Sequence, residues 1–259
     1  MGGSFVLLAC CGDCALGGDQ EGLALVVAWA RDRYRVDAVL QAGDFGFYRP
    51  LMRRHAHFAY AVPVHAVCGN HEDHRWLRKM VKRRETRRWV DERCLHYQDR
   101  GSVRVFAGSK VGFLGGALNV DRPQRGSRRR HTTNYILADQ ADAAVERFNA
   151  ERPAAIVTHS CPAGIGIGIH ANPAFAYDVP ENIIFRGFTA GPKDDCGESQ
   201  LARLWHGLTY RPRFWFFGHF HHHHQTEIDG TRFICLPKLG QELGVWDTDS
   251  GDFTLVMPD

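Results

Sequence analysis

No apolar run in this 259-residue chain approaches the roughly 18 residues that a membrane-spanning helix needs. The longest near the start, Phe5-Val-Leu-Leu-Ala-Cys-Cys, is short and lacks a basic leader, so neither membrane association nor export is expected. Lysine is scarce, occurring only at 79, 82, 110, 193 and 238 against 27 arginines, and the net charge is only +3. That balance is too small to require a polyanionic partner. The guanidinium excess suits bidentate phosphate recognition, although a GC-rich genome would produce the same bias. The eight cysteines are scattered, which favours reduced thiols in a cytoplasmic protein over a disulfide framework. Cys11-Gly-Asp-Cys14 has no matching second pair, which leaves a structural zinc module without support. Internal repeats and linkers are also lacking. One domain over residues 1–259 is therefore expected, with an ordinary globular core.

The first half alternates short apolar runs with helical patterns. Residues 5–10, 36–41 and 62–67 read as buried strands, and 23–33 and 50–60 as the helices between them. That β-α-β-α-β rhythm predicts an α/β fold with parallel strands and right-handed crossovers. Residues 73–90 read as a helix dense in arginine and lysine, and 139–150 as another, starting near Leu137. Short strands are expected at 104–106, 111–114, 155–158 and 214–217. The tail reads as hairpins at 226–228, 232–235, 244–246 and 253–256, with Asp229-Gly230 as a turn. Two stretches resist any pattern: the basic segment 122–131, and 161–197, whose Gly and Pro lack periodicity.

Polar groups stand where apolar runs end: Asp13, Asp44, Asn70-His71, His159 and His219-Phe-His221. Ligands of open α/β sheets bind beyond the carboxyl ends of strands, where such loops converge. Carboxylate, carboxamide and imidazole together suit Mn, Fe or Zn. Glycine before Asp44, Asn70 and His219 permits the tight turns that would aim them at one point. Each alone has an ordinary explanation: Asp13, Gly43-Asp44 and Asn70 as turn residues, His159 as a hydrogen-bonded structural histidine.

In this order, Gly43-Asp44, Gly69-Asn70-His71-Glu72, His159 and Gly218-His219-Phe220-His221 resemble the calcineurin-like metallophosphoesterase superfamily over roughly residues 5–235. The resemblance implies a two-sheet α/β sandwich, mixed strands flanked by helices, with two divalent metal ions. It implies that Asp44 bridges the metals, that Asn70, His159 and His219 complete one site, and that His221 joins the other. It also implies that His71 gives a proton to the leaving group or steadies the transition state. Physically, two cations about 3.5–4 Å apart neutralise a phosphate ester and lower the pKa of bound water toward ~7. An imidazole with a reference pKa of ~6.5 is a suitable acid there.

The first motif departs from the family pattern. Asp-x-His becomes Asp13-Cys14-Ala15, or Cys11-Gly12-Asp13 in an alternative frame. RNA lariat debranching enzymes similarly begin with a cysteine but retain the histidine. Asp13 supplies a ligand in either frame, with Cys11 and Cys14 as lesser substitutes. Losing the imidazole predicts one tight metal site, at Asn70, His159 and His219, and one weak site. Strand alternation through His221–His224 predicts His221 as a ligand and the other three as rim residues.

The basic residues 75, 78, 79, 82 and 83 recur at helical spacing, so they share a face, solvated or facing an anionic partner. Arg125, Arg128, Arg129, Arg130 and His131 form a second cluster. Segment 160–197 directly follows His159 and is a candidate lid, with His170, Asp178, Asp194 and Asp195 within possible reach. The expected activity is hydrolysis of a phosphorylated small molecule or nucleic acid, phosphodiesters being favoured by the arginine clusters. A non-catalytic scaffold on the same fold is the alternative, suggested by Ala15.

Overall fold

The computed structural model describes residues 7–12, 14, 19–47, 59–83, 92–117, 135–165 and 197–258. The expected helix at 50–60 apart from its last two residues, which are not helical, the second basic cluster and all but the ends of the candidate lid lie outside them. β1 (Leu7–Cys11), β2 (Ala38–Gln41), β3 (Val64–Ala66) and β4 (Leu95–Tyr97) lie side by side and parallel. Helix α1 (Gln20–Tyr34) joins the first two; the Asp19 carboxylate caps it by accepting the Gly22 N–H at 2.8 Å. Its Leu23, Val27 and Ala30 are buried, as the pattern predicts.

A second sheet begins with the hairpin β5 (Ser102–Phe106) and β6 (Ser109–Leu114). It continues through β7 (Ala155–Thr158) and β8 (Phe214–Phe217), both parallel to β6. β9 (His224–Ile228) and β10 (Thr231–Cys235) form its far edge, β10 running parallel to β8. Both residues of the Asp229-Gly230 turn have positive φ, +50° and +79°, as a two-residue hairpin requires. The last strands, β11 (Leu243–Asp247) and β12 (Phe253–Val256), return to the first sheet, β11 antiparallel to β1. The sheet orders are β12-β11-β1-β2-β3-β4 and β5-β6-β7-β8-β10-β9. This is the mixed, helix-flanked two-sheet α/β sandwich.

Period-two alternation decides what each strand buries. Phe214 and Phe216 of β8 face the other sheet, meeting Leu8, Leu40, Val67, Phe113, Val157 and Trp246. Trp215 and Phe217 face outward, under α3 (Ala138–Glu151) and α4 (Ser199–Gly207). Each such buried phenylalanine contributes about 1.5–3 kcal/mol of transfer free energy. On the opposite outer face, α1 and α2 (His74–Lys82) cover Val39, Val64 and Leu95.

Three expectations need correction. The basic helix is described only over His74–Lys82, with Arg83 already outside it; residues 84–91 lie outside the described set. β4 and α4 were not expected at all. α4 packs on Leu201, Leu204 and Trp205, an apolar recurrence at three and four residues that the preceding Gly/Pro-rich stretch obscures. Among the described residues no helix is long and apolar enough to cross a membrane.

Candidate metal centre

β2 ends on Gln41, a polar residue in an otherwise apolar strand, yet fully buried. Its amide nitrogen donates to the carbonyls of Gly12 (3.1 Å) and Gly43, and its oxygen accepts the Gly43 N–H at 3.0 Å. One side chain thus ties the end of β1 to the turn after β2. In that turn Gly43 has φ +97°, and a Cβ there would sit 2.5 Å from the His159 ring nitrogen Nδ1. Asp44 follows at φ +52° and is buried. Asp13 lies outside the described residues, but Gly12 and Cys14 on either side of it are both buried. The Cys14 sulfur accepts the Gln41 amide at 3.6 Å within the apolar layer beneath α1. As a substitute ligand, Cys14 is therefore already committed to packing.

The loop after β3 carries Gly69-Asn70-His71-Glu72. Glu72 is buried and grips two turns at once. One oxygen accepts the Phe45 N–H at 2.8 Å and the other the Gly69 N–H at 2.7 Å. Burial and the neighbouring Asp44 charge push its carboxyl up to about 8, against the opposing pull of His159 and those two N–H groups. The His71 N–H donates to Asp44 Oδ1 at 2.9 Å, while its ring Nε2 stands 3.9 Å from Oδ2. A quarter of the His71 side chain is exposed, so its ring borders both the buried carboxylate and solvent.

His159, directly after β7, is wholly buried. Its Nδ1 lies 2.7 Å from the Ala42 carbonyl, which can only accept, so Nδ1 carries a proton. Nε2 then points at two oxygens, Asn70 Oδ1 at 3.0 Å and Asp44 Oδ1 at 3.4 Å. A neutral ring would aim its lone pair at both, so that gap calls for a proton or a cation. Burial disfavours an ionised Asp44, yet His159 and then His71 outweigh it and hold the carboxyl well below the ordinary range. His219 follows β8 at φ +66°, its ring centroid 4.9 Å from that of His159. The Gly218 N–H donates to the His159 carbonyl at 3.0 Å, tying the two strand ends together.

The structure therefore brings together Asp44, Asn70, His159 and His219, with His71 alongside. His221, two residues on, is half-buried at φ +61°. The alternation expected through His221–His224 is not observed: β9 starts at His224, and the left-handed turns at 219 and 221 break any two-residue period. His222, expected at the rim, donates from Nδ1 to the Phe220 carbonyl at 3.2 Å, and His223 approaches Glu242 at 3.9 Å.

Among the described residues no three His, Cys, Asp or Glu side chains surround one point closely enough to hold a metal. Asn70 falls outside that count and Asp13 outside the described set. The donors present still fit a divalent cation: one buried carboxylate, one carboxamide oxygen, and an imidazole with its far nitrogen fixed by a carbonyl. Sequence reasoning missed Gln41 and Glu72, which ligate nothing and instead hold the turns. A lone polar residue closing an apolar strand was the available signal for Gln41.

Among solved structures, the chain is similar to a putative 5′-nucleotidase from Staphylococcus aureus, with a TM-score of 0.53 and 13% identity over 98% of this chain and 53% of that one. It is similar to GAP50, the anchor in the inner membrane complex of Plasmodium, with a TM-score of 0.50 and 9% identity over 97% and 83% of the chains. An archaeal phosphodiesterase matches at 11% identity over 98% and 100%, with a TM-score of 0.47. No curated protein matches the chain. The profile of the calcineurin-like phosphoesterase family matches residues 6–223, which is most of the sequence and includes the candidate residues from Asp13 to His221. By that match, the chain belongs to the calcineurin-like phosphoesterase family.

Proposed function

We propose that this protein hydrolyses a phosphate ester, with a phosphodiester favoured, at a centre for two divalent ions (Mn, Fe or Zn). In this reading Asp44, Asn70, His159 and His219 hold one ion. Asp13 and His221, with Asp44 shared, hold a second and weaker one, because Ala15 stands where the family has a histidine. The observation that carries the reading is the His159 ring. Its Nδ1 is committed to Ala42, and its Nε2 faces the Asn70 and Asp44 oxygens. Divalent ions held there would supply charge neutralisation for the phosphoryl group and lower the pKa of a coordinated water toward ~7.

The chain's own residues supply the rest. Asp44, held ionised, provides the negative charge that lets cations gather in a buried place. Its Oδ1 also fixes the His71 backbone, which holds the quarter-exposed imidazole where it can hand a proton to the departing oxygen. Glu72 and Gln41 keep the three turns in register. The cytoplasm as location, and residues 160–197 as a cover over the site, belong to the same proposal. A second reading, a scaffold that keeps the fold without the reaction, is favoured by Ala15 alone.

Hydrolysis of p-nitrophenyl phosphate and bis-p-nitrophenyl phosphate with added Mn²⁺ separates the readings. Asp44→Asn and His71→Ala are expected to lower turnover at least 100-fold. Turnover unchanged in both variants overturns the assignment. Metal analysis after dialysis is expected to find one retained equivalent, and two would contradict the weak second site.

A further inference from the structure

Helix α2 leaves the candidate centre with no flexible joint between them. It starts at His74, three residues after His71. The His74 ring Nε2 donates to the Gly69 carbonyl at 2.9 Å, and the Asp73 N–H donates to the Phe47 carbonyl at 3.1 Å. The start of the helix is therefore pinned to both loops that carry Asp44 and Asn70. Arg75, four residues after His71, stands no more than about 14 Å from it along the chain.

Leu77 buries one side of α2 in the layer with Val39, Val64 and Leu95. Arg75, Arg78, Lys79 and Lys82 lie on the other side, and all four are exposed. Arg83, just past the helix, is exposed as well and keeps its register by giving its N–H to the Lys79 carbonyl at 3.1 Å. The five form no ion pair among the described residues. They make a stripe about 12 Å long that runs outward from the centre.

Stability does not account for this stripe. Like charges three and four residues apart repel, and a glutamate at one of these positions would turn repulsion into attraction. Arg75 lies in the first turn, where the helix dipole disfavours a cation, and no acidic residue joins it there. Asp73, just ahead, accepts the Trp76 N–H at 2.9 Å. A ligand with regularly spaced negative charge would reverse each unfavourable term. Trp76 lies beside Lys79 on the helix surface, packing on the core in part and staying partly exposed. Cations along a track with an aromatic ring at its side hold single strands, by backbone charge and base stacking. A membrane surface would instead need the apolar side of α2, which is buried.

We propose that the outer face of α2 is a track for the backbone of single-stranded nucleic acid, leading a phosphodiester of that strand to the candidate centre. This rests on the phosphoesterase reading above and names its substrate class. Asp44, Asn70 and His159 are recessed, so a strand that can bend reaches them where a stiff duplex does not.

The test titrates a fluorescein-labelled 20-nucleotide deoxythymidine strand with full-length, EDTA-treated protein, so that binding is read without turnover. The variants are Arg75→Gln/Arg78→Gln/Lys79→Gln/Lys82→Gln, Trp76→Leu, and the control Arg31→Gln/Arg33→Gln on α1, each checked for folding by circular dichroism. For the wild type, the logarithm of the association constant should fall with log[salt] at a slope of about −2, the value for three neutralised phosphates of a single strand. The α2 variant should bind at least tenfold more weakly, with a slope shallower than about −1. Trp76→Leu should bind about fivefold more weakly with the slope kept, and the control should match the wild type. No wild-type binding below about 100 μM, or wild-type affinity in the α2 variant, overturns the proposal. So does equal affinity for a duplex of the same length or for phosphatidylserine vesicles. An unaffected Trp76→Leu also overturns it, because the face would then be a surface for any polyanion. With Mn²⁺ added, the ratio of kcat/KM for the strand to that for bis-p-nitrophenyl phosphate should fall at least tenfold in the α2 variant, and an unchanged ratio overturns the proposal. Strand binding through α2 with neither substrate hydrolysed supports the track and refutes the phosphoesterase reading. Hydrolysis of bis-p-nitrophenyl phosphate without strand binding does the opposite.

Discussion

Gly69→Ala tests whether the turns around Asp44 hold the candidate centre or merely end strands. A Cβ at residue 69 would overlap Asp44 Oδ1 and lie 2.6 Å from the Asp44 nitrogen and 2.7 Å from His159 Nε2, where ordinary contact begins at 3.4 Å. To reach ordinary contact, the loop after β3 or the Asp44–His159 pair must retreat by about 0.7 Å at His159 and about 1.3 Å at Asp44 Oδ1, and both sides are buried. Displacements near 1 Å in a reacting constellation cost up to ~100-fold in rate. Overpacking of this kind costs about 1–3 kcal/mol of stability, or about 2–12 °C in Tm for a chain of this size. Gly108→Ala is the matched comparison. It sits in the β5–β6 turn at φ +92° with nothing within 4 Å, so it pays for backbone strain but touches no other group. Both variants should melt earlier. Only Gly69→Ala should lose retained metal, measured by mass spectrometry after dialysis, and turnover of p-nitrophenyl phosphate by tenfold or more. Wild-type metal content and turnover in Gly69→Ala would refute the geometric argument.

Gln41→Leu keeps the volume but strands the Gly43 N–H and removes donors from two carbonyls, so a loss of about 2–3 kcal/mol and a Tm drop of about 4–12 °C are expected by calorimetry; a Tm within 1 °C of wild type contradicts it. His65, stacked on His96 and half-buried, is pushed down to about 3 by its partial burial and then by His96 and Arg104. Below about pH 6.5 the unfolded chain therefore binds a proton that the folded one refuses. Stability should fall with pH across roughly 6.5 to 3, by about 2 kcal/mol at pH 5. His65→Asn should flatten that part of a urea-midpoint-against-pH curve, and an unaltered slope would sink the assignment. His221→Gly should leave Tm equal or higher, because glycine relieves φ +61°, whereas His224→Gly in β9 should lower it. Equal losses in the two would show that residue 221 is held by packing rather than strained.

The strands that frame the centre were legible because apolar runs ended on glycine plus a polar group, as at Gly43-Asp44 and Gly218-His219. β7 and β8 match their expected limits at both ends. Asp229-Gly230 marked its hairpin for the same local reason. What escaped was non-local or locally ambiguous. The pairing of β11 with β1 joins residues more than 230 apart in sequence, and no short-range pattern specifies it. β4 is three residues long with a histidine in the middle, below the length at which alternation can be read. His221–His224 looked like a strand because periodicity carries no information about φ. Gln41 and Glu72 were passed over because they act on backbone groups, which a search for ligands does not count.

The backbone angles separate ordinary turns from positions under functional demand. Among the described non-glycine residues at positive φ, Arg35 and Arg152 cap helices, Ala107 and Asp229 sit in hairpin turns and Cys94 in the turn before β4, where such angles are usual. Asp44, His219 and His221 have no such excuse, and each costs on the order of 1–3 kcal/mol relative to relaxed backbone. Glycine would remove most of that cost at all three. Instead they carry the carboxylate and imidazoles that a cation would need, next to glycines (43 and 218) that could have absorbed the turn. The strain is tolerable because β2 and β8, which end at these turns, are locked into the inter-sheet core by Leu40, Phe214 and Phe216. The apolar layer thus supplies the stability, and the strand ends spend part of it to aim side chains at one point.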